Sequence, residues 1–191
     1  MRKFEYLLFA IGAAFLGWCA LTLIEARSFQ SSHATAFSRT AALAALPPVP
    51  AAAPRRKVLD GTAVGRIEIP RLGMSAVIAE GDGDATLRLA VGHIPGTAFP
   101  GEGGNVGLAG HRDTFFRSLA GIRLRDEIRL TGEGGVASVY RVMSTAVVES
   151  SAVSVLESGA HPSLTLVTCY PFHYLGPAPK RFVVKADRIP I

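Results

Sequence analysis

The stretch LTLVTCYPF (164–172) decides how the rest of the chain is understood: Leu164 to Thr168 are apolar or β-branched, run straight into Cys169, and are halted by Pro171. A proline has no N–H to give to a ladder, so this run is a strand ending at the rim of a sheet and delivering a thiol there. Outward from it, further short β-type runs are divided by Gly and Pro: GRIEIP (65–70), MSAVIAE (74–80), NVGLAG (105–110), DEIRLTG (126–132), VASVYRVMSTAVVES (136–150) and RFVVKADRI (181–189). A short amphipathic helix fits ATLRLAVG (85–92), and helical turns fit Thr114–Leu119 and Ser154–Glu157. Sustained helical periodicity and βαβ alternation are missing, and about seven or eight short strands point to an all-β closed barrel or sandwich.

The N-terminal third is of a different kind. Residues 1–57 hold seven of the 20 Lys+Arg (Arg2, Lys3, Arg27, Arg39, Arg55, Arg56, Lys57) and two of the 15 Asp+Glu (Glu5, Glu25), which accounts for the whole net charge of +5. The remainder is charge-balanced, so it is not a basic nucleic-acid-binding domain. Between Glu5 and Glu25 lies YLLFAIGAAFLGWCALTLI (6–24), 19 residues without a charge. As a helix this would be about 28 Å long, close to the thickness of a bilayer's hydrocarbon core. Arg2 and Lys3 before it favour a cytoplasmic N-terminus (1–5) and an extracytoplasmic C-terminal domain at the cell membrane. A cleavable signal peptide would have a shorter apolar region and a small-x-small site, and bulky Trp18 before Cys19 disfavours lipoprotein processing. Residues 25–57 are Ala/Ser/Pro-rich and end in PPVPAAAPRRK, a composition expected to form an extended spacer, with the domain boundary near Val58 and the folded domain over 58–191.

Only Cys19 and Cys169 are present, and a thiol within the apolar span cannot pair with one in the domain. One alternative for Cys169 is a buried small hydrophobe. The other is a nucleophile. NVGLAG ends at His111, again a strand end, and Arg181 opens the last apolar run after the loop YPFHYLGPAPK. A thiol with a pKa near about 8.5 is a weak nucleophile at neutral pH, and an imidazole or guanidinium beside it favours the thiolate. A guanidinium can also donate to the oxyanion on a tetrahedral carbon. Cys169, His111 and Arg181 together would suffice for acyl transfer through a thioester.

TLVTCYPF (165–172) resembles the TLxTC signature of sortases, and AGHRDTFFR (109–117) resembles the segment that carries their histidine. GHIPGTAFPGEGGNVGLAGHR (92–112) is similar to the glycine-rich approach to that histidine, and the likeness extends over most of 62–189, with class D as the nearest group by motif. The resemblance implies a closed eight-stranded β-barrel and a membrane-anchored cysteine transpeptidase. By that analogy Cys169 attacks the Thr carbonyl of a C-terminal Leu-Pro-x-Thr-Gly type sorting signal on an exported protein. Arg181 would stabilise the oxyanion or position the substrate, His111 would exchange protons with the leaving and incoming amines, and Thr168, Tyr170 and His173 would border the substrate. The acceptor would be an amine of the cell envelope or of another protein subunit, and no nucleotide would be required.

The remaining polar residues have plainer roles. His93 in a Gly/Pro-rich loop is structural or rim-lining, His161 before Pro162 is solvated, and Asp113 or Thr114 would cap the following turn. No cofactor or metal is expected: CxxC and HExxH spacings do not occur, and Glu80, Asp82 and Asp84 form a solvated turn, calcium there being an option without a full ligand pattern. GEGGNVG (101–107) lacks the ending of a phosphate-binding loop. Two other functions compete. A papain-like cell-wall hydrolase would place Cys before His, and an L,D-transpeptidase would carry Gly-Cys-Arg. The second is an anchored, non-catalytic binding or assembly module on the same barrel.

Overall fold

The computed structural model describes residues 2–43, 58–174 and 176–190. Helix α1 (Arg2–Leu43) is followed by strands β1 (Ala63–Ile69) and β2 (Met74–Glu80), helix α2 (Asp84–Leu89), and β3 (Val91–His93). Then come β4 (Asn105–Gly110), β5 (Glu127–Gly132), β6 (Ala137–Glu149), β7 (Ser163–Tyr170) and β8 (Lys180–Ile189). The eight strands close a barrel in the order β1-β2-β3-β4-β7-β8-β6-β5. Closure removes exposed sheet edges, which is how a set of short strands avoids edge-to-edge pairing.

Two neighbouring pairs, β2/β3 and β4/β7, are parallel; the other six are antiparallel. The interior is filled by Ile67, Ile69, Ile78, Leu108, Ile128, Leu130, Leu164, Leu166 and Val184, all fully buried. β5 shows the expected alternation, with Ile128 and Leu130 inward and Glu127 and Arg129 outward. β7 does not: Leu164, Thr165 and Leu166 are all buried, because the connection from β6 to β7 lies over its outer face. The turn Val153–Leu156 there offers its carbonyls to Thr165 Oγ1 (3.4 Å to Val155 O) and to Asn105 Nδ2 (3.0 Å to Leu156 O). Lys185 Nζ also donates to Val155 O, and burial pulls this amine below the usual lysine range.

Three expectations need amendment. The helix expected at 85–92 stops at Leu89, and Val91–His93 forms a strand of three residues, too short to be seen as a periodic run. The expected turns appear as 3-10 segments at Arg117–Gly121 and Val153–Leu156, and neither Asp113 nor Thr114 caps the first, whose N-cap position is Phe116 without a side-chain bond. The extended spacer expected over 25–57 is helical as far as Leu43; residues 44–57 lie outside the described residues. The reason is compositional: no Gly or Pro occurs from Trp18 to Leu43, and the first proline is Pro47.

The helix α1 contains the one candidate membrane span among the described residues, Tyr6–Ala34, 29 residues of which the most apolar 18-residue stretch has a mean hydropathy of 2.3. Phe9, Phe15, Leu16 and Trp18 on it stand exposed, a surface suited to lipid. Its later part is fastened to the barrel. Gln30 Nε2 donates to Leu89 O and Gln30 Oε1 accepts from Val77 N–H, both at 2.8 Å. One side-chain amide thus bridges β2 and the C-terminal end of α2, as a peptide unit would. A cavity of about 460 Å³ lies beside this contact, lined among others by Leu23, Arg27, Ala34, Val77 and Phe115.

Candidate active site

Strand register assembles the site. β4 and β7 run parallel with Gly110 opposite Thr168, so His111 and Cys169, each the next residue, leave adjacent strands side by side. β7 and β8 are antiparallel with Cys169 opposite Arg181. Neighbouring strands are about 4.8 Å apart, so the three residues occupy one short arc of the barrel rim. Parity fixes their face. Leu164, Leu166 and Thr168 point into the barrel, so Thr165, Val167 and Cys169 point outward. The paired residues outward of them form rows: Ala109, Val167 and Val183 lie beneath His111, Cys169 and Arg181. Cys169, His111 and Arg181 are each half-buried. The result is an outer barrel face with an apolar row and a thiol, an imidazole and a guanidinium at one end.

Each of the three residues is held by its surroundings. The main chain at His111 is fixed because Phe116 N–H donates to His111 O (3.1 Å) while the Phe116 ring turns into the core. That ring packs on Gly110, where a Cβ would come within 2.8 Å of it, so the residue before the histidine must be glycine. Cys169 follows Thr168, whose hydroxyl donates to Gly110 O at 2.7 Å and ties β7 to β4. The Arg181 guanidinium donates to Lys180 O (3.0 Å) and Ala178 O (3.2 Å). Among the described residues neither the Cys169 thiol nor the His111 ring has a hydrogen-bond partner.

The structure separates the other expected site residues. Thr168 is buried, with its hydroxyl committed to Gly110, so its side chain is a strand tie rather than a groove wall. Tyr170 is half-buried, its ring against Phe182 and edge-on to Phe172. His173 is exposed on the β7–β8 loop. His161 is exposed. His93 is not on a loop: it ends β3, fully buried, with Nδ1 2.6 Å from Glu80 Oε2 and Nε2 3.0 Å from Ala98 O. This corrects the solvated acidic turn, since Glu80 is turned inward to His93 and only Asp82 and Asp84 are exposed. Among the described residues no group of three or more His, Cys, Asp and Glu is gathered for a metal ion.

Sequence reasoning missed two features. The apolar row of Ala109, Val167 and Val183 was recoverable only from strand register. Arg112 was passed over as a neighbour of the histidine, yet it reaches across to the loop leaving β7, donating to Pro171 O, Tyr174 O and Gly176 O.

Known proteins share this architecture. The family description "Sortase domain" matches residues 67–189, from β1 through β8. Sortase D of Bacillus subtilis (strain 168) is 35% identical over 130 residues, 68% of this chain, and the match spans 65% of that relative's length. A solved Clostridium perfringens Sortase D5 transpeptidase has a TM-score of 0.63 and 31% identity, covering 70% of this chain and 83% of that one. Sortase E1 of Streptomyces coelicolor, solved with a tripeptide in its active site, has a TM-score of 0.60 and 30% identity, covering 68% and 90%. The two D-type relatives agree with the class D likeness of TLVTCYPF and AGHRDTFFR. By the matched span and the closed barrel alike, the chain belongs to the sortase family.

Proposed function

We propose that the protein is a membrane-anchored cysteine transpeptidase that cleaves a C-terminal sorting signal of Leu-Pro-x-Thr-Gly type and transfers the acyl part to an amine. The observation that carries this is the register bringing Cys169 opposite Arg181 and beside His111 on one outer face of the barrel. The Cys169 thiolate attacks the threonine carbonyl carbon. Arg181, turning from the Ala178 and Lys180 carbonyls, donates to the resulting oxyanion. The C–N bond breaks as the leaving amine takes a proton from the His111 imidazolium, leaving a thioester on Cys169. An incoming amine attacks that thioester, His111 accepts its proton, and the C–S bond breaks to restore the thiolate. One amide bond is exchanged for another through the thioester, so no nucleotide is consumed.

The partners in this reading are exported proteins bearing the signal and an amine of the cell envelope or of another subunit. Arg2 and Lys3 keep the N-terminus cytoplasmic, residues 6–24 span the cell membrane, and the domain over 58–191 works outside it. No metal or other cofactor enters these steps.

The test is to incubate the full chain in detergent micelles with sorting-signal peptides and hydroxylamine, and to seek the peptide hydroxamate by mass spectrometry. Wild type is expected to form it and Cys169→Ala is not. An equal null from both across several peptide variants would favour the non-catalytic binding module.

A further inference from the structure

The loop joining β7 to β8 (171–179) begins two residues after Cys169 and ends one residue before Lys180, so it lies at the same rim of the barrel as the thiol. It contains Pro171, Gly176, Pro177 and Pro179. Among the described residues no main-chain hydrogen bond links positions within it. Its order comes from side chains. Arg112 Nη1 donates to Pro171 O (3.0 Å), and Nη2 donates to Tyr174 O (2.8 Å) and Gly176 O (3.0 Å). The guanidinium carbon also stands 5.7 Å from the centre of the Tyr174 ring. Arg181 holds the far end through Ala178 O.

We propose that Arg112 is a positioning residue that pre-organises this loop for an extended peptide substrate, and so governs substrate affinity rather than the chemical step. The proposal rests on the transpeptidase reading of the Cys169 groove. Three carbonyls spread over six residues are gathered by one planar fork, a geometry that an ammonium cannot reproduce. Without that fork, a loop with no internal main-chain bond among its described residues has to be ordered by the substrate itself, and that entropy is subtracted from binding. Arg112 belongs to the turn whose next residues lead to Phe116, so the main chain that holds His111 also anchors the loop beyond Cys169.

The test compares wild type, Arg112→Ala and Arg112→Lys as full chains in micelles, by hydrogen exchange over 171–179 and by steady-state kinetics with a sorting-signal peptide and hydroxylamine. Arg112→Ala should speed exchange in that segment by about tenfold or more, with barrel strands unchanged, and Arg112→Lys should do so less. KM should rise by about fivefold or more while kcat stays within about twofold and its pH profile does not move. Exchange equal to wild type would overturn the latch. Faster exchange with unmoved KM would overturn its role in substrate positioning, and a fall in kcat with a displaced pH profile would place Arg112 on His111 instead. If wild type turns over no peptide, the transpeptidase reading fails, while the exchange comparison still decides whether Arg112 orders the loop.

Discussion

At one end of the outer face shared by β4, β7 and β8, Asn105 lies fully buried with Oδ1 accepting from Ser163 Oγ (3.2 Å) and Thr165 Oγ1 (2.9 Å). Its Nδ2 donates to Leu156 O, and Lys185 binds the same turn through Val155 O. At the other end of the same strands, Cys169 and His111 stand half-exposed without hydrogen-bond partners among the described residues. The contrast teaches that the barrel fixes the open end indirectly. Buried polar groups at the covered end are satisfied and lock the β4/β7/β8 register, which in turn places three side chains that have nothing locking them to one another.

The comparison makes graded predictions. Cys169→Ala should lower acyl transfer by about a thousandfold or more, measured as hydroxamate formation, while its unfolding midpoint in urea stays close to wild type. A variant that retains turnover would move the chemistry away from the open end. His111→Ala and Arg181→Ala should each lower kcat/KM by more than about tenfold, roughly 1.4 kcal/mol or more of barrier. Unimpaired turnover would remove that residue from the site. The covered end should behave in the opposite way: Asn105→Leu takes the donor from the Leu156 carbonyl and the acceptor from the Ser163 hydroxyl, leaves Thr165 only its longer bond to Val155 O, and should cost about 1–3 kcal/mol of stability. The folded fraction of that variant should keep its thiol chemistry, so a loss of kcat without a loss of stability would collapse the distinction between the two ends.

A smaller effect is expected away from both ends. The Asp126 carboxyl is held below the usual carboxylate range, chiefly by the Arg71 guanidinium and also by the Arg123 N–H at 2.8 Å, with burial opposing. A depressed folded pKa means that the stabilisation is present above the unfolded value and is lost as pH falls through the folded one. Because Arg71 is partly solvated, Asp126→Asn should cost about 1 kcal/mol at neutral pH, with the gap from wild type closing below about pH 4 in urea titrations.

Much of this was legible in the sequence for physical reasons. Pro171 after an apolar run marks the end of β7, and Gly-rich approaches mark the ends of others, so the thiol and the imidazole could be placed at strand ends before their neighbours were known. Seven strands announce themselves by alternation or apolar runs, whereas β3 is three residues long and has no period to detect. Glu80 belongs to a turn-rich sequence and still points inward, because its partner His93 is delivered by that same undetected strand. The helix beyond Ile24 was hidden by its alanines and serines, which suit a linker as well as a helix until the absence of Gly and Pro is weighed. Thr168 could be assigned to the groove or to the barrel only by parity, and parity needs the register with β4.

The central claim is that the open end of the β4/β7/β8 face forms a covalent bond to a peptide through Cys169. Intact-mass spectrometry of the full chain, quenched in acid after mixing with a sorting-signal peptide, tests it most directly. The account predicts an added mass equal to the peptide fragment ending at threonine, mapped to Cys169 and released by hydroxylamine. No adduct under conditions where the thiol still reacts with iodoacetamide, or an adduct that persists in Cys169→Ala, would contradict it.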